Sequence, residues 1–377
     1  MASRCKRTGF LVVTALLLAS CSDNCGTPPE PVEDPPGIER IHFSTYHLCT
    51  LDEARKVWCA GGNASGQLGD GSTRERSGLV RAAGLEEMTG IAVGLFDTSC
   101  AWNDEGELYC WGNNDRHVLA TDEFTNSARP VPIEDLPPIE NVTLGAYHAC
   151  ALTKEAEVYC WGDNREGQAG LGDRVNQATT PTKVVELTDV KKVVAGAEHT
   201  CAITTGGILY CWGKNDHGQL GQGSDSLVRA TSPQVVGLVP GPAVDLDLSF
   251  NHSCATFGER RRLYCWGNND YGQLGVDDLE SRNAPTEIPE IAYVDHLAAG
   301  GGQVCARVDE KVYCAGEVLR PVEVARQTGE GYLFRPSPAL EDATELWSGV
   351  LAICGPLQNH SVACRGIEHR SLTGELF

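Results

Sequence analysis

Long apolar runs and basic charge are both in short supply in these 377 residues. The one sustained hydrophobic stretch, Phe10 to Leu18, falls well short of the ~20 residues that a helix needs to cross a bilayer. That argues against a permanent membrane-spanning helix. Lys and Arg number 30 against 51 Asp and Glu, a formal net charge of −21. Nucleic-acid binding works by neutralising phosphates with basic side chains, so a chain this acidic points away from it. The single basic run, Arg260-Arg261-Arg262, lies between two strand-like segments and reads as a solvated turn. Chemical signatures are missing as well. There is no phosphate-cradling Gly-x-x-x-x-Gly-Lys-(Ser/Thr) loop, no Gly-x-Ser-x-Gly elbow and no EF-hand-like Asp-x-Asp-x-Asp-Gly run. No short Cys-x-x-Cys spacing with a second pair or histidines suggests zinc. The expectation is therefore no catalytic residues, no metal and no cofactor.

What is present begins at the N-terminus. Arg4, Lys6 and Arg7 precede the apolar run, which ends in small residues, the pattern of a secretory signal peptide over residues 1–20. Leu18-Ala19-Ser20-Cys21 resembles the bacterial lipobox, which implies acylation of Cys21 and cleavage before it. Residues 21–27 would then be a lipidated tether and 28–377 the folded domain. Several acyl chains hold a protein at a membrane far more firmly than one. The expected location is the cell envelope, on a membrane facing the periplasm or the exterior, with Ser22 favouring the outer membrane. Cleavage removes three basic residues and no acid, so the mature chain carries −24.

The cysteines supply a period. They fall in pairs, Cys49 with Cys59, Cys100 with Cys110, Cys150 with Cys160, Cys201 with Cys211, Cys254 with Cys265, Cys305 with Cys314 and Cys354 with Cys364, about every fifty residues. Each pair sits on short β-rich runs parted by a polar or glycine turn, which read as hairpins. Residues opposed across such a hairpin come within ~4.5–5.5 Å, close enough for a disulfide, and an exported protein meets an oxidising environment. Disulfides within each hairpin are the favoured reading over zinc ligation or unpaired core thiols. Cys25 is left over, free or bridged to another molecule.

Tyr-Cys-Trp-Gly recurs at 109–112, 159–162, 210–213 and 264–267, and Asn-x-x-Gly-Gln-x-Gly at 63–69, 164–170, 215–221 and 269–275. With histidine shortly before the first cysteine at 47, 148, 199 and 252, the chain resembles the regulator of chromosome condensation repeat family over residues 28 to about 366. The resemblance implies an all-β, seven-bladed β-propeller of four-stranded blades, with a loop face that holds a protein or peptide partner. Relatives include exchange factors for a nuclear GTPase and a bacterial inhibitor of β-lactamases. Export from the cytoplasm argues against the former activity here. The repeated histidines read as structural, each bonding backbone within its own blade, and the repeated aromatics as packing. Departures from the pattern include Asn114 to Ala120, which lacks the glycines, Ala315-Gly316 in place of Trp-Gly, and the seventh repeat, which keeps only its cysteines and Gly366.

Binding is the favoured function, with a propeller enzyme acting on glycans or a structural envelope scaffold as alternatives. The irregular stretches Asp115 to Ala128 and Glu317 to Asp342 are the places to look for specificity. Pro29-Glu30-Pro31-Val32 resembles Pro130-Val131-Pro132-Ile133, and Val32 precedes Cys49 by the same interval that separates Ile133 from Cys150. Residues 28–33 are therefore expected to supply the outer strand of the seventh blade. Deleting residues 26–34 should lower the melting temperature by many degrees, and an unchanged thermal melt would remove the latch from consideration.

Overall fold

A computed structural model of the chain describes residues 37–121, 123–224, 227–316, 333–349, 352–357 and 362–366. Residues 1–20, expected to be a signal peptide, Cys21, Cys25, residues 28–33, expected to form a latch, and residues 317–332 of the second irregular stretch lie outside the described residues. The rest is a seven-bladed β-propeller, with blades at 38–81, 88–132, 139–183, 190–235, 243–287, 294–336 and 347–366. Six blades are antiparallel meanders of four strands, and three strands of the seventh lie among the described residues. In the first blade these are Ile38–Phe43, His47–Asp52, Val57–Gly61 and Arg76–Arg81, counted outward from the centre of the ring.

In each blade the paired cysteines face each other directly across the second and third strands, as in Cys150 opposite Cys160. All seven disulfides form, with Cα–Cα separations from 4.0 Å at Cys354–Cys364 to 4.2 Å at Cys254–Cys265. The spacings of 11 and 9 residues are absorbed in the turn while the cysteines stay opposed. Immediately beyond the second cysteine the pairing with the outer strand slips, between Cys160 and Gly162 in the third blade. Gly162 takes φ +92 there, and a Cβ on it would lie 2.6 Å from the Tyr147 carbonyl oxygen. Both demands select glycine after the tryptophan.

The glycine-turn motif builds the joint to the next blade. Asn63 accepts from the Leu68 amide and donates to the carbonyls of Ser72 and Arg74, while the Gln67 side chain accepts from the Ser65 amide. This fixes the Gln67 carbonyl toward the second blade, where it accepts both the Trp111 indole N–H at 2.8 Å and the Ser99 hydroxyl at 3.0 Å. The arrangement repeats with Trp212 and Thr200 on the Gln168 carbonyl, and with Trp266 and Ser253 on the Gln219 carbonyl. Trp161 donates in the same way to the Val118 carbonyl. These four indoles are fully buried between blades. Each joins the burial of a large aromatic surface to a satisfied donor, the condition under which a buried tryptophan stabilises.

Where the pattern lapses, other residues take over. Ala315 stands in the tryptophan position of the sixth blade, and the Phe334 ring, from the loop preceding its outer strand, lies close enough to meet a Cβ on Gly275 at 2.5 Å. The glycines Gly69, Gly170 and Gly221 meet an indole in the same way. The ring closes between the first and seventh blades through a parallel bridge from Phe43 to Gly349 and a small core of Ile41, Trp347, Cys354 and Val362. A Cβ on Gly349 would sit 2.0 Å from the Phe43 ring.

At the joint between the fifth and sixth blades, buried Val304 occupies the position held by Ser99, Thr200 and Ser253 elsewhere, and His252 meets no side-chain hydroxyl there. Val304→Thr should give His252 its missing partner and the Gln273 carbonyl a donor. One such bond is worth ~1 kcal/mol, so a rise of about 1–3 °C in the melting temperature is expected from calorimetry.

Candidate functional site

The turns between first and second strands and the loops between third and fourth strands share one face of the ring. Arg116, on such a loop of the second blade, lies over the ring of Tyr147, on such a turn of the third, at 5.9 Å from its centroid. Lys214, at the end of the third strand, reaches Glu198 on the turn of its own blade at 2.7 Å.

The repeated histidines belong to the joints below this face. His47 bonds the Ser99 hydroxyl at 2.7 Å, His148 the Thr200 hydroxyl at 2.8 Å and His199 the Ser253 hydroxyl at 3.0 Å, each through Nε2 and each on the following blade. The expectation of a backbone bond within one blade is thus corrected. The hydroxyl is already committed as donor to a glutamine carbonyl, so Nε2 must carry the proton. A serine 2.7 Å from a histidine has the spacing of a nucleophile and its base. Here the hydroxyl is fully buried and its proton is spent on the carbonyl, so the pair holds blades together. Among the described residues no group of three or more His, Cys, Asp or Glu is placed to hold a metal ion.

Chemical character is uneven around the loop face. Across the third and fourth blades several charged side chains form ion pairs. Arg165 binds Asp163 through two bonds of 2.8 Å, and Lys214 sits between Glu198 and Asp216. A cavity of about 300 Å³ at the outer edge between the fourth and fifth blades is lined by Asn215, His217, Arg282 and other polar residues. The turns of the first three blades carry aromatic residues. Phe96 stacks on Tyr147 with ring centroids 5.1 Å apart, and Tyr46, on the corresponding turn of the first blade, is 55% exposed. Asp97, next to Phe96, is half-buried and accepts from the Gln67 side-chain amide at 2.8 Å. Burial pushes its carboxyl above the usual range, against the pull of that hydrogen bond.

The irregular loop of the second blade borders this sector. Although both glycines are missing, His117 at φ +59 and Ala120 at φ +53 hold the left-handed geometry that Gly167 and Gly170 adopt one blade on. Non-glycine residues in that region cost free energy, so the loop is maintained at a penalty. His117 uses its side chain to fix the loop, through a 2.6 Å bond from Nδ1 to the Thr121 carbonyl and a contact with the Phe124 ring at 4.2 Å. Phe124 is left 62% exposed. Of the stretches expected to carry specificity, the one at 115–128 therefore lies on the aromatic sector. Neither Tyr46 nor the Phe96–Tyr147 pair was singled out from sequence, although an aromatic beside the repeated histidine at 46 and 147 was the available signal.

The sequence matches the model of the RCC1-like domain over residues 19–355. It is 32% identical over 285 residues to the Arabidopsis thaliana ultraviolet-B receptor UVR8, an alignment covering 72% of this chain and 63% of that one. The chain thus spans under two thirds of that relative's length. Among solved structures, human WBSCR16 superimposes with a TM-score of 0.71 at 21% identity, covering 85% of this chain and 87% of that one. Prp20p of Saccharomyces cerevisiae, described with binding properties to Gsp1p and histones, gives 0.69 at 20% identity, covering 88% and 83%.

The buried histidines carry a pH dependence. Burial lowers His148 and His252 to about 4 and His47 and His199 to about 3. The unfolded chain takes up these protons near pH 6.5, while the native ring refuses them until much lower pH. Their contribution to stability is complete above pH 6.5 and is lost as the pH falls from there toward 4. Asp247, on the innermost strand of the fifth blade, opposes them. Burial raises it to about 6, so its protonated form favours the fold at low pH and that contribution is lost as the pH rises through 6. With His42, also lowered to about 4 by burial, five histidines outweigh the two raised carboxyls, Asp247 and Asp97, so the melting temperature should fall steadily between pH 7 and 4.5. His148→Gln should flatten that fall.

Proposed function

The chain belongs to the RCC1-like domain family, whose propellers commonly mediate protein binding, and on that premise we propose that it binds a protein or peptide partner through the aromatic sector of its loop face. The loop of the second blade carries the proposal. It preserves a left-handed backbone without glycine, at a cost, and spends His117 on presenting Phe124 to solvent. The backbone geometry serves the joint, where the Val118 carbonyl accepts the Trp161 indole N–H, but that joint has no use for an aromatic ring at the surface, whereas recognition does. Exposed aromatics beside an arginine are also the side chains that dominate binding energy at protein interfaces.

In the same reading the protein is exported, anchored through acylated Cys21 in the cell envelope, non-catalytic and without a cofactor. Its acidity keeps it from nucleic acid, and its membrane contact is the N-terminal lipid alone. The composition of residues 1–21 supports the anchor, and the interblade commitment of the Ser–His pairs supports the absence of catalysis.

Affinity capture from envelope and secreted fractions, with residues 26–377 as bait and mass spectrometry of the eluate, tests the proposal. A saturable partner is expected, lost when the loop at 115–128 is replaced and weakened at least tenfold by Phe124→Ala, the loss of one aromatic anchor. Because Phe124 is exposed, its removal should leave the melting temperature within about 1 °C of the parent. No partner, together with turnover in a glycan and peptide substrate screen, would replace the proposal with an enzyme.

A further inference from the structure

We infer that the aromatic sector receives an arginine or lysine side chain from a basic stretch of the partner, which Asp97 neutralises and the neighbouring rings cover. The inference rests on the binding function proposed above and names the chemistry of its ligand.

Arg116 on Tyr147 shows within the chain that the face of this stacked pair holds a guanidinium. Tyr46, exposed on the next turn of the same face, carries a ring for which no stacking or cation contact exists among the described residues. Asp97 lies in the turn between them in ring order. One of its oxygens is held by Gln67, and among the described residues no Lys or Arg pairs with it.

The charge of Asp97 discriminates between occupants. A neutral apolar segment laid over Phe96 and Tyr46 would strip water from a half-buried carboxylate and give nothing back, which is costly. An acidic segment would meet the same carboxylate, the flanking Asp115 and Glu123, and the field of a chain of net charge −21. A cation relieves the desolvated carboxylate, and the aromatic faces then supply further attraction. The same field would speed its approach, because complementary charge acts chiefly on encounter.

The test uses the mature chain and short fluorescein-labelled peptides in which Ala alternates with Arg, with Glu or with Gln, read by fluorescence anisotropy at ~0.15 M salt. The Arg peptide should bind at least about tenfold more tightly than either of the others. Tyr46→Ala and Asp97→Asn should each weaken it by roughly three- to tenfold. Asn keeps the oxygen that Gln67 uses, and unchanged thermal melts confirm that both variants are folded. Glu or Gln peptides that bind as well as Arg, and are weakened by Phe124→Ala, would overturn the cationic ligand while leaving the binding function in place. Arg binding indifferent to both Tyr46→Ala and Asp97→Asn would assign it to the general field and overturn the site. If no peptide binds but partner capture still depends on Phe124, the cation is overturned alone. Capture that ignores Phe124 and the loop at 115–128 would overturn the proposed function itself.

Discussion

Between neighbouring blades a buried indole N–H meets the main-chain carbonyl at the tip of the preceding glycine turn, and the architecture depends on that contact. A four-stranded sheet has two faces and too little sequence to bury either by itself, so each blade relies on its neighbours for a core. The tryptophan supplies a large fully buried surface, and the carbonyl satisfies its one polar atom. Much else in the repeat serves this meeting. The asparagine and glutamine side chains hold the turn so that the carbonyl points outward, and a serine or threonine hydroxyl takes the carbonyl's second lone pair. The histidine then steadies the hydroxyl from the blade before. Among the blades that lack the indole, the sixth draws an aromatic ring from a different place in the sequence, Phe334.

Because four of the joints repeat one solution, the fold was legible in the sequence. The cysteine period fixed the number of blades, and alternating residues around each pair fixed which strands the disulfides would join. Contacts across joints were harder to see. A repeat shows what recurs within a blade, but the partner of His148 is Thr200, in another repeat, and the chemistry at that second position varies among hydroxyl, alanine and valine. An interval of 52 residues from His47 to Ser99 and again from His148 to Thr200 was the only trace of the contact. Phe334 left no trace, since it belongs to a segment without repeat character.

The candidate site was half legible for a related reason. Loss of two glycines in the second repeat marked the loop at 115–128 as unusual, and the structure shows that its backbone is not unusual at all. His117 and Ala120 reproduce the repeat's geometry, and what changed is the surface it presents. Tyr46, Phe96 and Tyr147 come from three separate repeats and gather only because the ring sets their turns side by side. Residues that act together on a propeller face are spaced a blade apart in sequence, where an ordinary motif search does not look.

All seven disulfides lie within blades, and none described here crosses a joint. The covalent bonds therefore hold hairpins shut while the ring itself is held by packing and hydrogen bonds. For a molecule pulled by its ends, that division sets the order of failure: joints and the uncrosslinked inner and outer strands give way before any central hairpin opens. Each crosslinked hairpin then keeps back the span between its cysteines, 10 residues in most blades, or roughly 35 Å of extended chain. Under load the chain would behave as a string of short stiff beads, able to lengthen between them and to recover their registers once the tension is released.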